Sequence, residues 1–115
     1  MTNYSFPDIV LVPFPFTDQI TIKKRPVLIL NSSDFSNRTP LIIASMITSS
    51  LTPLWPGDYI LKEWEKCGLL HPSKIRLGKI VTLETDIILK KLGSLPSPEI
   101  SKIKKIFKDV FSAMA

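Results

Sequence analysis

The sequence predicts a mainly β protein, a small barrel or strongly bent sheet that ends in one amphipathic helix. Many short β-like runs follow each other at close spacing, and 10 prolines interrupt a chain of 115 residues. The last segment changes to the helical period of about 3.6 residues. Because domains commonly contain roughly 100 to 150 residues, we expect residues 1–115 to form a single domain.

Three β-branched, apolar segments in the first half of the chain predict buried strands. They are Ile9 to Phe14, Pro26 to Leu30 and Leu41 to Ile47. The loop between the first two, Pro15 to Arg25, ends in three consecutive basic residues. The next loop, Asn31 to Pro40, is rich in Ser, Asn and Asp and has no periodicity. Both loops are candidates to carry function.

The second half of the chain contains shorter elements. Asp58 to Leu61 predicts a fourth strand, and Lys62 to Cys67 has the spacing of one or two helical turns ended by Gly68. Further β-like runs follow at Ser73 to Arg76, Lys79 to Leu83 and Ile87 to Leu92.

The final segment predicts a helix that packs on the barrel or on a partner. Ser97, Pro98 and Glu99 have the pattern of an N-cap, a first-turn proline and a first-turn acid. The apolar residues that follow share one helical face, and lysines occupy the other. These apolar residues are Ile100, Ile103, Ile106, Phe107, Val110, Phe111 and Met114.

Composition excludes several classes of site. The single cysteine, Cys67, cannot form an intrachain disulfide or supply paired thiolates for zinc, and the single histidine, His71, cannot form a histidine pair. Glu84 and Asp86 have no further ligands near them in sequence, so no metal site is predicted. No apolar run approaches the roughly 20 residues of a membrane span and no signal peptide is evident, so we expect a cytoplasmic protein.

The net charge of +5 is concentrated in two clusters. One is the consecutive Lys23, Lys24 and Arg25, and the other is residues 73–91, with five basic residues against two acidic ones. Each cluster is either ordinary solvated surface or a face that binds a polyanion. For the lysines of the C-terminal helix we favour solvated surface.

Three stretches, in this order, resemble the MazF/PemK (Kid-like) toxin family. The first runs from Asp8 to Asp18 and continues from Lys23 to Leu30, the second is Ile43 to Ser49, and the third is Gly68 to Arg76, followed by Lys79 to Leu83. The resemblance implies an SH3-like barrel with a C-terminal helix and a homodimer. It also implies a toxin of a type II toxin-antitoxin system that is neutralised by a small acidic antitoxin.

The activity that the resemblance implies is a metal-independent endoribonuclease without cofactors, which cleaves single-stranded RNA, usually messenger RNA, at short preferred sequences. By position, the catalytic residues are Arg25 and Thr48. In such a reaction the 2′-hydroxyl attacks the adjacent phosphorus and leaves 2′,3′-cyclic phosphate and 5′-hydroxyl ends. A guanidinium suits stabilisation of the dianionic phosphorane, so we assign that role to Arg25, and Thr48 is expected to orient rather than deprotonate.

Further residues are predicted to bind RNA. They are Lys23, Lys24, Ser49, Phe16, Ser73, Arg76 and Lys79. For Phe16, stacking on an unpaired base competes with simple packing, and Trp55 and Trp64 are interpreted as packing or interface residues. In the Kid-like branch an acidic residue lies two positions after the arginine that matches Arg76, whereas this chain has Gly78. Arg76 is therefore predicted to bind RNA rather than to catalyse, and the general base is unassigned.

Two other functions stay open at this point. The same barrel supports a non-catalytic poison of DNA gyrase in the CcdB relatives, and Gly78 is compatible with an RNA-binding barrel that has lost catalysis. The complete pair of Arg25 and Thr48, together with the two basic clusters, favours the ribonuclease.

Overall fold

Six antiparallel strands form one open, barrel-like sheet, and a helix follows them. The computed structural model describes residues 3–14 and 23–114. The sheet order is β4-β5-β3-β2-β1-β6, and the strands are β1 Asp8–Phe14, β2 Lys23–Ile29, β3 Leu41–Thr48, β4 Asp58–Ile60, β5 Lys74–Glu84 and β6 Lys90–Ser94. The helices are α1 Ser33–Arg38 and α2 Ser97–Val110, with 3-10 turns at Thr85–Ile87 and Ser112–Met114. The predicted fold class is confirmed.

The first four predicted strands are confirmed, and β5 joins two runs that the sequence separated. In β5, Ser45 of β3 pairs with Ile80 while its neighbour Met46 pairs with Arg76. Residues 77–79 therefore form a bulge, which bends the strand without ending it. Because the bulge contains Gly78, the sequence pattern breaks where the strand continues.

Two other predictions about local structure are wrong. The run Ile87 to Leu92 is not one strand, since a 3-10 turn ends at Ile87 and β6 begins at Lys90. The segment Lys62 to Cys67 forms turns, with bonds such as Cys67 N–H to the Trp64 carbonyl (3.2 Å), rather than a helix. It does end at Gly68, as predicted. The φ of Gly68 is +81°, and a Cβ at this position would clash with the Leu92 carbonyl oxygen.

The loop predicted between the second and third strands contains the short helix α1. Ser32 is its N-cap, and the Ser32 hydroxyl accepts a hydrogen bond from the Phe35 N–H at 3.3 Å. The Ser-Ser-Asp sequence at residues 32–34 is an N-cap signal, but with six residues this helix is too short to show a period.

Two clusters of buried aliphatic side chains lie on the two faces of the sheet. One combines Val10, Val27 and Ile42 with neighbours from the same three strands. The other combines residues such as Ile9, Ile75 and Cys67 with Ile103 of α2, and Trp64 packs against it. Because each fully buried aliphatic side chain stabilises the fold by about 1.5 to 3 kcal/mol, these clusters fix the strands that carry the cleft described below.

Helix α2 packs on the sheet through its first half. Its N-cap is Pro96 rather than the predicted Ser97, and no side chain caps it. Ile103 is fully buried, whereas Phe107 and Val110 further along the same face are exposed. Among the described residues, no helix is both long and apolar enough to cross a membrane.

Candidate active site

A cleft of about 260 Å³ opens where β2, β3 and β5 lie side by side. Strand pairing places Thr48 opposite Lys74 and Met46 opposite Arg76. Four basic side chains and three hydroxyl side chains line the cleft together with apolar neighbours. The lining residues are Arg25, Met46, Ile47, Thr48, Ser50, Thr52, Pro53, Lys74, Arg76 and Lys79. The structure thus brings together four residues predicted from the sequence, Arg25, Thr48, Arg76 and Lys79.

A second cleft of about 350 Å³ adjoins the first, and Arg25 lines both. Lys24, Ser49 and Ser73 line this second cleft. Ser73 is buried, and its hydroxyl donates to the His71 carbonyl at 2.8 Å. Five of the seven predicted RNA-binding residues therefore divide between two neighbouring clefts, both of which Arg25 lines.

The other two predicted RNA-binding residues are Lys23 and Phe16. Lys23 is exposed at the start of β2 and lines neither cleft. Phe16 lies outside the described residues.

Thr48 stands at the end of β3 with its hydroxyl held in place. Its Oγ1 accepts a hydrogen bond from the Ser50 N–H at 3.1 Å. Because a hydroxyl can accept and donate at once, its own hydrogen is left for an acceptor in the cleft. A hydroxyl held in this way can orient a phosphate or an attacking oxygen.

The sheet also fixes the position of Arg25. It lies on β2, an interior strand, directly opposite Val12 of β1. A partly buried guanidinium on an interior strand carries a permanent charge that can hold two phosphoryl oxygens.

A buried ion cluster lies beneath the cleft. The Asp58 side chain is 0% exposed and lies 3.1 Å from Lys74 Nζ and 2.8 Å from Arg76 Nη2. Lys74 is only 1% exposed, and its ammonium also donates to the carbonyls of Leu51 and Pro53. Solvated surface and direct polyanion binding were the two interpretations of this lysine, and its burial contradicts both.

The surroundings of Asp58 keep it ionised. Burial by itself raises the pKa of Asp58. The hydrogen bonds from Arg76, from the backbone N–H of Trp55 and from Lys74 outweigh this effect and lower the pKa to about 2. Since two cations face one carboxylate, the cluster retains a net positive charge beside the cleft.

Trp55 contacts the same cluster. The Arg76 guanidinium carbon lies 3.5 Å from the centroid of the Trp55 ring, a cation–π contact. Sequence reasoning gave neither Trp55 nor Asp58 a role in the site. The signal that identifies Asp58 is its position opposite Arg76 in the β4–β5 ladder, which requires the strand register to be known.

Cys67 contributes no nucleophile to either cleft. It is fully buried, and burial, with a smaller contribution from the charge of Glu99, raises the pKa of the thiol to about 11. Within residues 3–14 and 23–114, no group of three His, Cys, Asp or Glu side chains is arranged to hold a metal ion.

The open, barrel-like sheet, the C-terminal helix and the basic cleft define a small, mostly β protein with a site suited to phosphates. The family model for the PemK-like, MazF-like toxin of type II toxin-antitoxin systems matches residues 6–111. The chain therefore belongs to this toxin family, and the resemblance stated from the sequence is confirmed.

Solved structures share this fold at low sequence identity. Toxin MazF-mt6 of Mycobacterium tuberculosis is 18% identical, with a TM-score of 0.74 over 91% of this chain and 96% of that one. A mycobacterial endoribonuclease in complex with its cognate antitoxin is 15% identical, with a TM-score of 0.74 over 95% of each chain. MazE–MazF (Form-III) of Deinococcus radiodurans is 15% identical, with a TM-score of 0.73 over 96% of this chain and 98% of that one. No curated protein is significantly similar to the chain in sequence.

Proposed function

We propose that this toxin is an endoribonuclease that cleaves single-stranded RNA by attack of a 2′-hydroxyl on the adjacent phosphorus. The observation that carries the proposal is the cleft that unites Arg25 and Thr48 with Arg76 and Lys79. The cleft has the positive charge that a dianionic phosphorane needs, and a hydroxyl stands beside that charge. A related structure, described as an endoribonuclease, has the same fold.

Each cleft residue then has one role in the reaction. Arg25 stabilises the charge on the phosphoryl oxygens, and Thr48 donates its hydroxyl hydrogen to orient the reacting group. Arg76 and Lys79 hold neighbouring phosphates. This chain has Gly78 where the Kid-like branch has an acidic residue. Asp58 does not take over the role of that residue as a base, because it is buried, bound by two cations and has a pKa of about 2.

The same proposal includes the partners. A positively charged toxin suits a small acidic antitoxin, and related structures contain a toxin with its cognate antitoxin. We also propose that the toxin acts in the cytoplasm, on messenger RNA, as a homodimer, since a short chain gains binding surface from a second copy.

The test is cleavage of single-stranded RNA by the purified protein in EDTA, with analysis of the product ends. We expect 2′,3′-cyclic phosphate and 5′-hydroxyl ends, and a loss of rate of about 10³-fold in Arg25→Ala. Thr48→Val, which keeps the shape but removes the hydroxyl, is expected to lose about 10²-fold.

The matched control is Arg38→Ala, because Arg38 is exposed on α1 and pairs only with Asp34 across the described residues. Undiminished cleavage by Arg25→Ala contradicts the assignment. Trapped gyrase–DNA complexes without RNA cleavage would instead favour the gyrase poison, and tight RNA binding without turnover would favour a barrel that has lost catalysis.

A further inference from the structure

We propose that Asp58 is a positioning residue for RNA binding, which together with Trp55 orients Arg76 so that one edge of its guanidinium is presented to a phosphate. This inference rests on the proposed function, because it concerns how the same cleft holds single-stranded RNA. It adds two residues that the sequence did not connect with the site.

The hydrogen bonds of Arg76 divide the guanidinium into a used edge and an unused edge. Nε donates to Asp58 Oδ1 at 2.9 Å, and Nη2 donates to Asp58 Oδ2 at 2.8 Å and to the Pro53 carbonyl at 3.1 Å. A guanidinium has five N–H groups, and these contacts use three of them. The two N–H groups of Nη1 are used by none of these contacts, and they belong to a side chain that lines the cleft.

Trp55 restrains the guanidinium in the remaining direction. Asp58 holds two nitrogens of the guanidinium, and the guanidinium carbon lies over the Trp55 ring, 3.5 Å from its centroid. The backbone N–H of Trp55 in turn donates to Asp58 Oδ2 at 2.8 Å. Trp55 therefore contacts both the guanidinium, through its ring, and the carboxylate, through its backbone. A side chain with many rotamers is thereby fixed before RNA arrives, which reduces the entropy lost on binding.

The charge balance argues against a purely structural cluster. Lys74 and Asp58 already form a buried pair of opposite charges. Arg76, whose side chain is 14% exposed, adds a second cation that the burial of Asp58 does not require. A cation that is held at the cleft by a carboxylate, and that has donors not used in its contacts with the described residues, is suited to an anionic ligand.

Positioning and simple charge predict opposite effects for Asp58→Asn. The substitution removes a negative charge, so charge counting alone predicts tighter binding of RNA. If Asp58 orients Arg76, the guanidinium is released and binding weakens. The sign of the change therefore separates the two explanations.

The experiment measures the Kd of a single-stranded RNA whose 2′-hydroxyls are all methylated, so that it binds without being cleaved, at several salt concentrations. We expect Asp58→Asn to weaken binding about 10-fold. We also expect the slope of log K against log salt to fall by about 0.7, the value for one lost phosphate contact on a single strand. Arg76→Ala should give the same change, and the double variant should be no worse than either single variant.

The matched control is Asp34→Asn, which makes the same change of charge at an exposed position outside both clefts. It should leave Kd and slope close to those of the unmodified protein. A folded Asp58→Asn protein that binds RNA equally well or more tightly overturns the inference. So does a double variant in which the two losses add.

A second variant tests the inference if the Asp58→Asn protein does not fold, which is seen as the lack of a cooperative unfolding transition. Arg76→Lys keeps the cation beside Asp58, so the buried charges stay balanced, but it lacks the fork with a free edge. We expect it to bind RNA as weakly as Arg76→Ala, and wild-type affinity would overturn the inference. An unmodified protein that neither binds nor cleaves RNA contradicts the proposed function as well, whereas normal cleavage with an unaffected Asp58→Asn contradicts the positioning role alone.

Discussion

Asp58 and Glu99 are two carboxylates with almost no exposure to solvent, but their partners are of different kinds. Asp58 is held mainly by Lys74 and Arg76, two cations. Glu99 accepts from the Tyr59 hydroxyl at 2.8 Å and from the Lys62 and Glu63 N–H groups at 2.7 and 3.1 Å. The two sites are linked through β4, where Asp58 and Tyr59 are neighbours. Because successive side chains of a strand point to opposite faces, the two sites lie on opposite sides of β4.

The difference separates a structural site from the site that we propose to bind RNA. The three donors that face Glu99 are uncharged, and each donates its one hydrogen to the carboxylate. These groups therefore have no hydrogen left to donate to a ligand. This arrangement fastens the first turn of α2 to the segment after β4. At Asp58 two of the donors are cations, and both of them line the cleft. The hydrogen bonds of one of them, Arg76, to Asp58 and Pro53 leave its Nη1 unused. The Nη1 group of Arg76, more than the burial of Asp58, supports the RNA-binding role that we propose for this site.

The largest effect in this comparison is expected at Glu99, on stability. Glu99→Ala leaves three partly buried donor groups without their acceptor, and we expect a loss of about 3 kcal/mol in the free energy of unfolding. Urea denaturation measures it. Glu99→Gln, which keeps an acceptor oxygen, should lose less, and the folded fraction of either variant should bind RNA normally. A variant of Glu99 that stays fully stable but binds RNA weakly would contradict the division between the two sites.

Much of the fold and part of the site follow from the sequence, because they depend on local patterns. β-branched runs predict the strands of the first half, and the helical period predicts α2. The order of the family motifs brings Arg25 and Thr48 together. These signals lie within single segments, so each can be recognised without knowledge of the rest of the structure.

The two buried carboxylates could not be predicted in this way. Asp58 meets Arg76 because β4 and β5 pair in one register, and a hydrophobic pattern does not determine which polar residues face each other across a ladder. Glu99 was interpreted as a first-turn acid beside the helix terminus. Its partners lie 36 to 40 positions earlier, in β4 and in the turns that replace the predicted helix. Both contacts depend on tertiary packing.

A smaller effect is expected for Asp58 at acid pH. Folding lowers the pKa of this carboxyl from an ordinary value of 3.8 to about 2, which corresponds to about 2 kcal/mol. Since the folded protein holds the ionised form more strongly, this stability is complete above about pH 4 and is lost as the pH falls towards 2. Urea unfolding of the wild type and Asp58→Asn checks it, and their difference should shrink by about that amount between pH 6 and pH 2. A constant difference would show that ionisation of Asp58 does not stabilise the fold.

The smallest effect is expected for Tyr59→Phe, which tests whether Glu99 depends on each of its donors. Burial raises the pKa of Tyr59 and the hydrogen bond to Glu99 raises it further, so the phenol stays a neutral donor through the physiological range. Loss of this one hydroxyl should cost about 1 kcal/mol, since two backbone donors remain on the carboxylate. Tyr4→Phe is the matched control in the same denaturation experiment, because the Tyr4 hydroxyl bonds no other described residue. An equal change in both variants would mean that the backbone donors alone hold Glu99, and the Tyr59 hydroxyl would then have no part in fastening α2 to β4.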